Sequence, residues 1–438
     1  MPNPSLLIVP ARFKTGRLYS QIPSNTDNRG DFNVTRATAA TRVNASGLIE
    51  VVASGIPRLD YYTSGGTAGC PALLVEPSAQ NVIVQSQNWL ASGWRSDATA
   101  NVTTVSSTTG TLDPSGTYTA NAISPTSGSA THLKVGNDGS SSFTSGTIYT
   151  QSGFFKQGTG NAGRYIQLTY PAARFIQEGY ANFDLQLGTV AVVSGTSADT
   201  NRAASIENYG NGWYRCRFTA TCNNTGTGNG FSAILITASG DTRAPSFSGT
   251  TTDILYGWGA QTETGSIATS YIPTTTAAVT RNAEVISLSG AVSGCIGQTE
   301  GTIYAEVDIR NMAKETYTLE IDDGVNANRI IIRSLTNNQM RGSIVATTFS
   351  GTIGISSATF TSGIVKIAFA YKSGDFALSV NGAAALTASG TFTFGASLNR
   401  ITLGSVGGGG SQLNDRIRAA AIYTTRLSND QLAELTRL

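Results

Sequence analysis

The sequence predicts an all-β protein, on three observations. Short segments along most of the chain alternate apolar and polar side chains, as half-buried strands do, and hydrophobic residues make up 40% of the total. Gly occupies 49 positions, and Ser and Thr crowd the stretches between those segments, a composition suited to short strands and many turns. Only the tail reads as a helix: Ser428 can cap it, Gln431 can return the capping bond, and Leu427 can pack onto Leu432.

A chain of 438 residues holds two or three domains, each large enough for its own core. Charged residues are 13%, the net charge is +2 and the pI is near 8.3, which leaves no electrostatic footprint for nucleic acid or an anionic membrane surface. Neither is expected as a partner. Cys216 and Cys222 share one face of a predicted strand, about 20 Å apart and beyond the ~7 Å reach of a disulfide, so both are expected as free buried thiols. The single His132 has neither a metal-binding partner of its kind nor a nucleophile motif around it. The apolar run 6–9 is too short for a signal peptide or a membrane span, so synthesis in the cytoplasm without export is expected.

Residues 1–87 read as extended pieces, LLIVPARF, RLYSQIP, DFNVTRATAATRVN, LIEVV, PRLDY and PALLVEP. Several abut proline, which lacks a ladder donor, so no compact central sheet is expected there. Residues 88–280 carry evenly spaced strands at 148–156, 165–170, 181–193, 203–207, 213–222, 231–237 and 254–260, the pattern of an antiparallel sandwich. In the last of these Ile254, Tyr256, Trp258 and Ala260 share a face. Gly265, Pro273 and the threonines 274–276 then end the ladder. Residues 281–438 form a second sandwich, in which VKIAFAYK alternates and FALSVNG ends on the hairpin signal Asn381-Gly382.

The stretch GWGAQTETGSIATSYIPT resembles the closing strand and exit tail of jelly-roll modules in tailed-bacteriophage virion proteins, akin to family 4/9 carbohydrate-binding modules. FFK, NFDLQLGTV and ENYGNGWYRC occur in the order seen in that family. DFNVTRATAATRVNASGLIEVV, IPRLDY and CPALLVEPSAQN resemble the N-terminal region of phage fibre and appendage proteins, and the strands of 281–438 resemble concanavalin-like laminin-G domains. The resemblance implies an N-terminal attachment and oligomerisation region, a jelly roll and a laminin-G-like sandwich in a head or tail fibre or appendage of a virion. It implies a dimer or trimer, contacts to other virion proteins through residues 1–87, adhesion to host-surface glycans, and no enzymatic role. A stand-alone carbohydrate-binding-module protein and a glucanase-type glycoside hydrolase are the alternative classes.

Four groups of residues invite chemistry. Gly158, Gly160 and Gly163 have dinucleotide-loop spacing but lie between two strands, so a hairpin loop is expected. Glu306 and Asp308 match the start of a glucanase pattern whose second Glu is missing, and no catalytic residue is assigned. Asp322, Asp323 and Asn326 offer oxygens to calcium, the one cofactor considered, against the plainer reading of an Asp-Gly hairpin turn. Of Trp89, Trp94, Trp213 and Trp258, the last is expected in the core. Trp213, beside Arg215 and Arg217, is the candidate for stacking a pyranose ring, against the alternative of core or subunit packing.

Overall fold

The computed structural model describes the chain except for residues 24–28, 63–68, 96–97, 107–109, 176–178, 196–198, 200, 291, 311–313, 352–353 and 408. The described residues form two antiparallel β-sandwiches and one short helix, so the all-β reading holds.

One sandwich layers a six-stranded sheet on a five-stranded one. The larger runs Val102–Ser106, Asn121–Pro125, Ile254–Thr264, Ile148–Thr159, Trp213–Thr221, Ala203–Asn208; the smaller runs Leu133–Gly136, Phe231–Ile236, Tyr165–Thr169, Tyr180–Asp184, Thr189–Ser194. Trp89, Phe155, Phe183, Phe218, Phe231 and Leu235 fill the space between them. Strand alternation places Cys216 and Phe218 in this core and Arg215 and Arg217 on the opposite face. Cys216 and Cys222 are free and buried, as their spacing requires.

Two local expectations change. Gly259 adopts φ +64, and the pairing slips between Ser152 and Phe154, which marks a bulge. Tyr256 and Trp258 therefore pack on the outer face, while Ala260 joins the core with Leu255. The segment of Gly158, Gly160 and Gly163 connects strands of different sheets rather than closing a hairpin within one. A Cβ on Gly158 or Gly163 would lie 2.2 Å from the Ile254 carbonyl oxygen, so close packing requires the glycines.

The second sandwich has an eight-stranded sheet built around Gly363–Lys372, Glu300–Ile309 and Asp415–Tyr423. Its nine-stranded partner is built around Val285–Ser289, Arg400–Leu403, Thr316–Asp322 and Arg329–Ser334. Residues 1–87, expected as a separate extended region, supply strands to both. Leu6 pairs with Ile422, Leu73 with Ile417 and Val34 with Ile286, and Leu6, Ile8, Phe32, Val34, Leu73 and Val75 lie in its core. Pro10, Pro57, Pro71 and Pro77 all fall outside the strands, so they remove no ladder donor. The first sandwich is thus inserted into the second. The ingoing strand Ala79–Asn81 pairs antiparallel with the outgoing strand Val279–Arg281.

The helix Asn429–Leu435 starts with the expected capping box between Ser428 and Gln431, and Leu427 and Leu432 pack against the outer face of the eight-stranded sheet. Among the described residues no helix is long and apolar enough to cross a membrane.

Candidate functional site

The two sandwiches meet over the outer face of the six-stranded sheet. There the hairpin of Ala40–Val43 and Ile49–Val52 brings Ile49 into a cluster with Phe154, Trp213, Trp258 and Tyr271. Trp213 is 1% exposed, and its Nε1 donates to the Leu112 carbonyl at 2.8 Å. This corrects its reading as a sugar platform: the side of the sheet that reads as polar in sequence is covered by another part of the chain. Trp89, Trp94 and Trp258 are buried as well.

Beside this cluster a buried ion network joins both linkers to the host sandwich. Arg58 Nη1 lies 2.7 Å from Glu76, and its Nε lies 2.7 Å from Glu284 at an angle that makes an ion pair rather than a hydrogen bond. Arg36 and Arg281 complete it, at 3.2 Å from Glu284 and 3.2 Å from Glu76. Burial alone would push the Glu76 carboxyl up, but the guanidiniums of Arg281 and Arg58 overcome it and hold the group well below the usual carboxylate range.

Next to the network lies a cavity of about 40 Å³, walled by Arg215, Arg217, Tyr209, Glu207, Arg310 and Arg416 among others. Arg310 and Arg416 sit over the Tyr62 ring at 4.4 and 5.2 Å, and Tyr62 packs on Tyr209 at 4.8 Å between centroids. Burial raises the Glu207 carboxyl, yet Arg217 and Arg310 outweigh it and keep the group below its ordinary value. A second cavity of about 150 Å³ shares Glu207, Arg217, Ala268 and Arg310 as walls. The structure therefore brings Arg215 and Arg217 together on one cavity, without Trp213 as an exposed partner.

The other candidates are engaged elsewhere. Asp322, Asp323 and Asn326 do meet at one turn, but Arg400 bonds both Asp322 and Asn326, at 3.0 Å each. Asp323 accepts from the backbone of Val325, Ala327 and Asn328. The cluster is a braced hairpin turn whose oxygens already face protein donors, and among the described residues no group of three or more His, Cys, Asp or Glu is placed to hold a metal. Glu306 pairs with Arg418 at 2.8 Å, and Asp308 with Arg310 at 2.8 Å. His132 is fully buried with both ring nitrogens against backbone carbonyls, those of Asn101 and Phe247.

A cleft of about 470 Å³ on the host sandwich went unpredicted. Phe392 and Phe394 line it with Ser373, Gln298, Thr299, Thr393 and Ser397. The two rings are 4.9 Å apart, and Phe394 is half-buried. The Thr299, Thr393 and Ser397 hydroxyls make no hydrogen bond among the described residues, and no charged side chain enters the lining. Its signal in sequence is the alternation GTFTFG at 390–395, too short to separate from any other strand.

No protein-family model matches the chain, and no curated protein matches it. Among solved structures it is similar to the CBM40 of the Ruminococcus gnavus IT-sialidase, at 16% identity and TM-score 0.28 over 32% of this chain and 84% of that one. It is also similar to Trypanosoma rangeli sialidase, at 11% identity and TM-score 0.28 over 72% of this chain and 60% of that one. The sequence expectation that the chain has no enzymatic role is corrected by the second finding: sialidases span this breadth of the chain, and the exclusion of an enzyme is withdrawn. At these scores the likeness assigns no reaction and no catalytic residue. The resemblance to phage appendage proteins rests on the sequence motifs alone.

Proposed function

We propose that the chain is a glycan-binding adhesion protein of a tailed-phage virion, and that the cleft of Phe392 and Phe394 is where it holds a neutral sugar. The observation that carries this reading is the pairing of an aromatic wall with hydroxyls that have no hydrogen-bond partner among the described residues. Sugars present an apolar face of C–H groups and a rim of hydroxyls, and a pocket of about 300–1,000 Å³ with few, placed polar groups is the usual form of a small-molecule site. The virion assignment follows the motif GWGAQTETGSIATSYIPT and its companions.

A glycan array probed with the full chain tests the reading. Binding to a defined set of neutral glycans, reduced about tenfold or more by Phe394→Ala, is expected for loss of a stacked ring. Binding unchanged by Phe394→Ala, or none on a broad array, overturns it. A dimer or trimer that meets other virion proteins through exposed segments of residues 1–87 belongs to the same proposal. Light scattering that finds only monomer at every concentration overturns that part.

A further inference from the structure

Arg215 is 1% exposed and makes no ion pair among the described residues. Glu207 stands directly opposite it in the antiparallel ladder, yet gives its carboxylate to Arg217 at 2.5 Å. Glu263, the other carboxyl near enough to feel its charge, is occupied by Gln261 Nε2 at 2.7 Å and by the Thr269 amide and hydroxyl at 2.8 Å. What remains to Arg215 is the Ser152 hydroxyl at 3.0 Å and the face of Phe154 at 5.3 Å, and its Nε has no acceptor.

The other arginines on the cavity wall are matched. Arg42 pairs with Glu50 at 2.6 Å, Arg310 with Asp308 at 2.8 Å and Arg416 with Asp60 at 2.8 Å. A guanidinium does not shed its proton, and a buried charge without a counter-ion is strongly destabilising. Asp415, which also lines the cavity, accepts from the Arg310 amide at 3.0 Å, so among the described residues Arg215 is the one guanidinium on this wall with no carboxylate in ion-pair contact.

We propose that this cavity binds a carboxylate, with Arg215 as its counter-ion. The planar fork of the guanidinium matches a carboxylate, and a volume of about 40 Å³ admits a group of that size and little more. The adjoining cavity of about 150 Å³, lined by Thr150, Ser205, Thr219 and Ser266, has room for the remainder of a larger molecule. The source is thus a small free acid or the acid group of a sugar. The proposal does not depend on what the Phe392 cleft holds.

Titration calorimetry of the full chain at constant ionic strength tests it, with acetate, glucuronate, glucose and chloride as probes. Glucuronate is expected to bind and glucose is not, and Arg215→Gln should weaken glucuronate by about tenfold or more. Acetate binding as tightly as glucuronate supports the site and identifies a small free acid as its occupant; weaker acetate identifies an acidic sugar. Chloride matching both, or no carboxylate binding at all, overturns the proposal. Should Arg215→Gln fail to fold, Glu207→Gln, which removes the carboxylate nearest the cavity's arginines, should tighten carboxylate binding. An unchanged affinity there overturns the proposal equally.

Discussion

Leu6 and Ile422 face each other across an antiparallel ladder, so strands from opposite ends of the chain are hydrogen-bonded neighbours. Leu6 and Ile8 are buried in the core of the host sandwich. Deleting residues 1–12 is therefore expected to unfold that sandwich while sparing the inserted one. Near-ultraviolet circular dichroism separates the two, because Trp89, Trp94, Trp213 and Trp258 all belong to the inserted sandwich and its junction. A deletion that leaves both thermal transitions intact would show the N-terminal strands to be dispensable.

The junction network holds three arginines, Arg36, Arg58 and Arg281, on two carboxylates, Glu76 and Glu284. Removing one partner strands buried charge, so Glu284→Gln should cost about 3–5 kcal/mol in urea unfolding at neutral pH.

Glu76 gives that network its acid dependence. Its folded value lies below the ordinary 4.5, so the stabilisation is fully present above pH 4.5 and is lost as the pH falls toward the depressed value. Between pH 7 and pH 3 the native protein should lose stability more steeply than Glu76→Gln. Parallel slopes would refute the assignment.

Lys134 behaves in the opposite sense. It is buried, its Nζ donates to the Arg95 carbonyl at 3.1 Å, and burial lowers it to about 8. The unfolded chain then holds more protons than the folded one between pH 8 and the ordinary 10.5, so stability from this group rises with pH across that window. From pH 7.5 to 9.5 the native protein should gain about 1–2 kcal/mol relative to Lys134→Met. Chemical denaturation at the two pH values measures the difference, and equal shifts in both proteins would count against a depressed Lys134.

At the 322–328 turn, Arg400 stands where a cation would have to bind, between Asp322 and Asn326. Added calcium is expected to leave the melting temperature unchanged, while Arg400→Ala lowers stability by about 1–3 kcal/mol through the loss of charged hydrogen bonds. A calcium-dependent rise in the native protein would restore the metal-site reading.

Features decided within a few neighbouring residues were legible in advance. The capping box of Ser428 and Gln431 depends on atoms three residues apart, and it formed as its residue types require. The alternation at 213–222 predicts a strand within a residue of the observed Trp213–Thr221 and sorts its two faces, because alternation along a strand is a local property. The Gly259 bulge was the local exception, since one extra residue reverses the face of everything beyond it.

By itself the sequence determined the all-β class, the inner and outer faces of the strand Trp213–Thr221 and the free state of Cys216 and Cys222, all consequences of residue type and period. Only the tertiary structure decided that residues 1–87 complete the host sandwich, that Trp213 is covered, and that Glu207 pairs with Arg217 and leaves Arg215 alone. Alternation states which side of a strand a residue takes. What covers that side comes from chain far away in sequence, such as the hairpin that brings Ile49 to Trp213, and no local pattern encodes it.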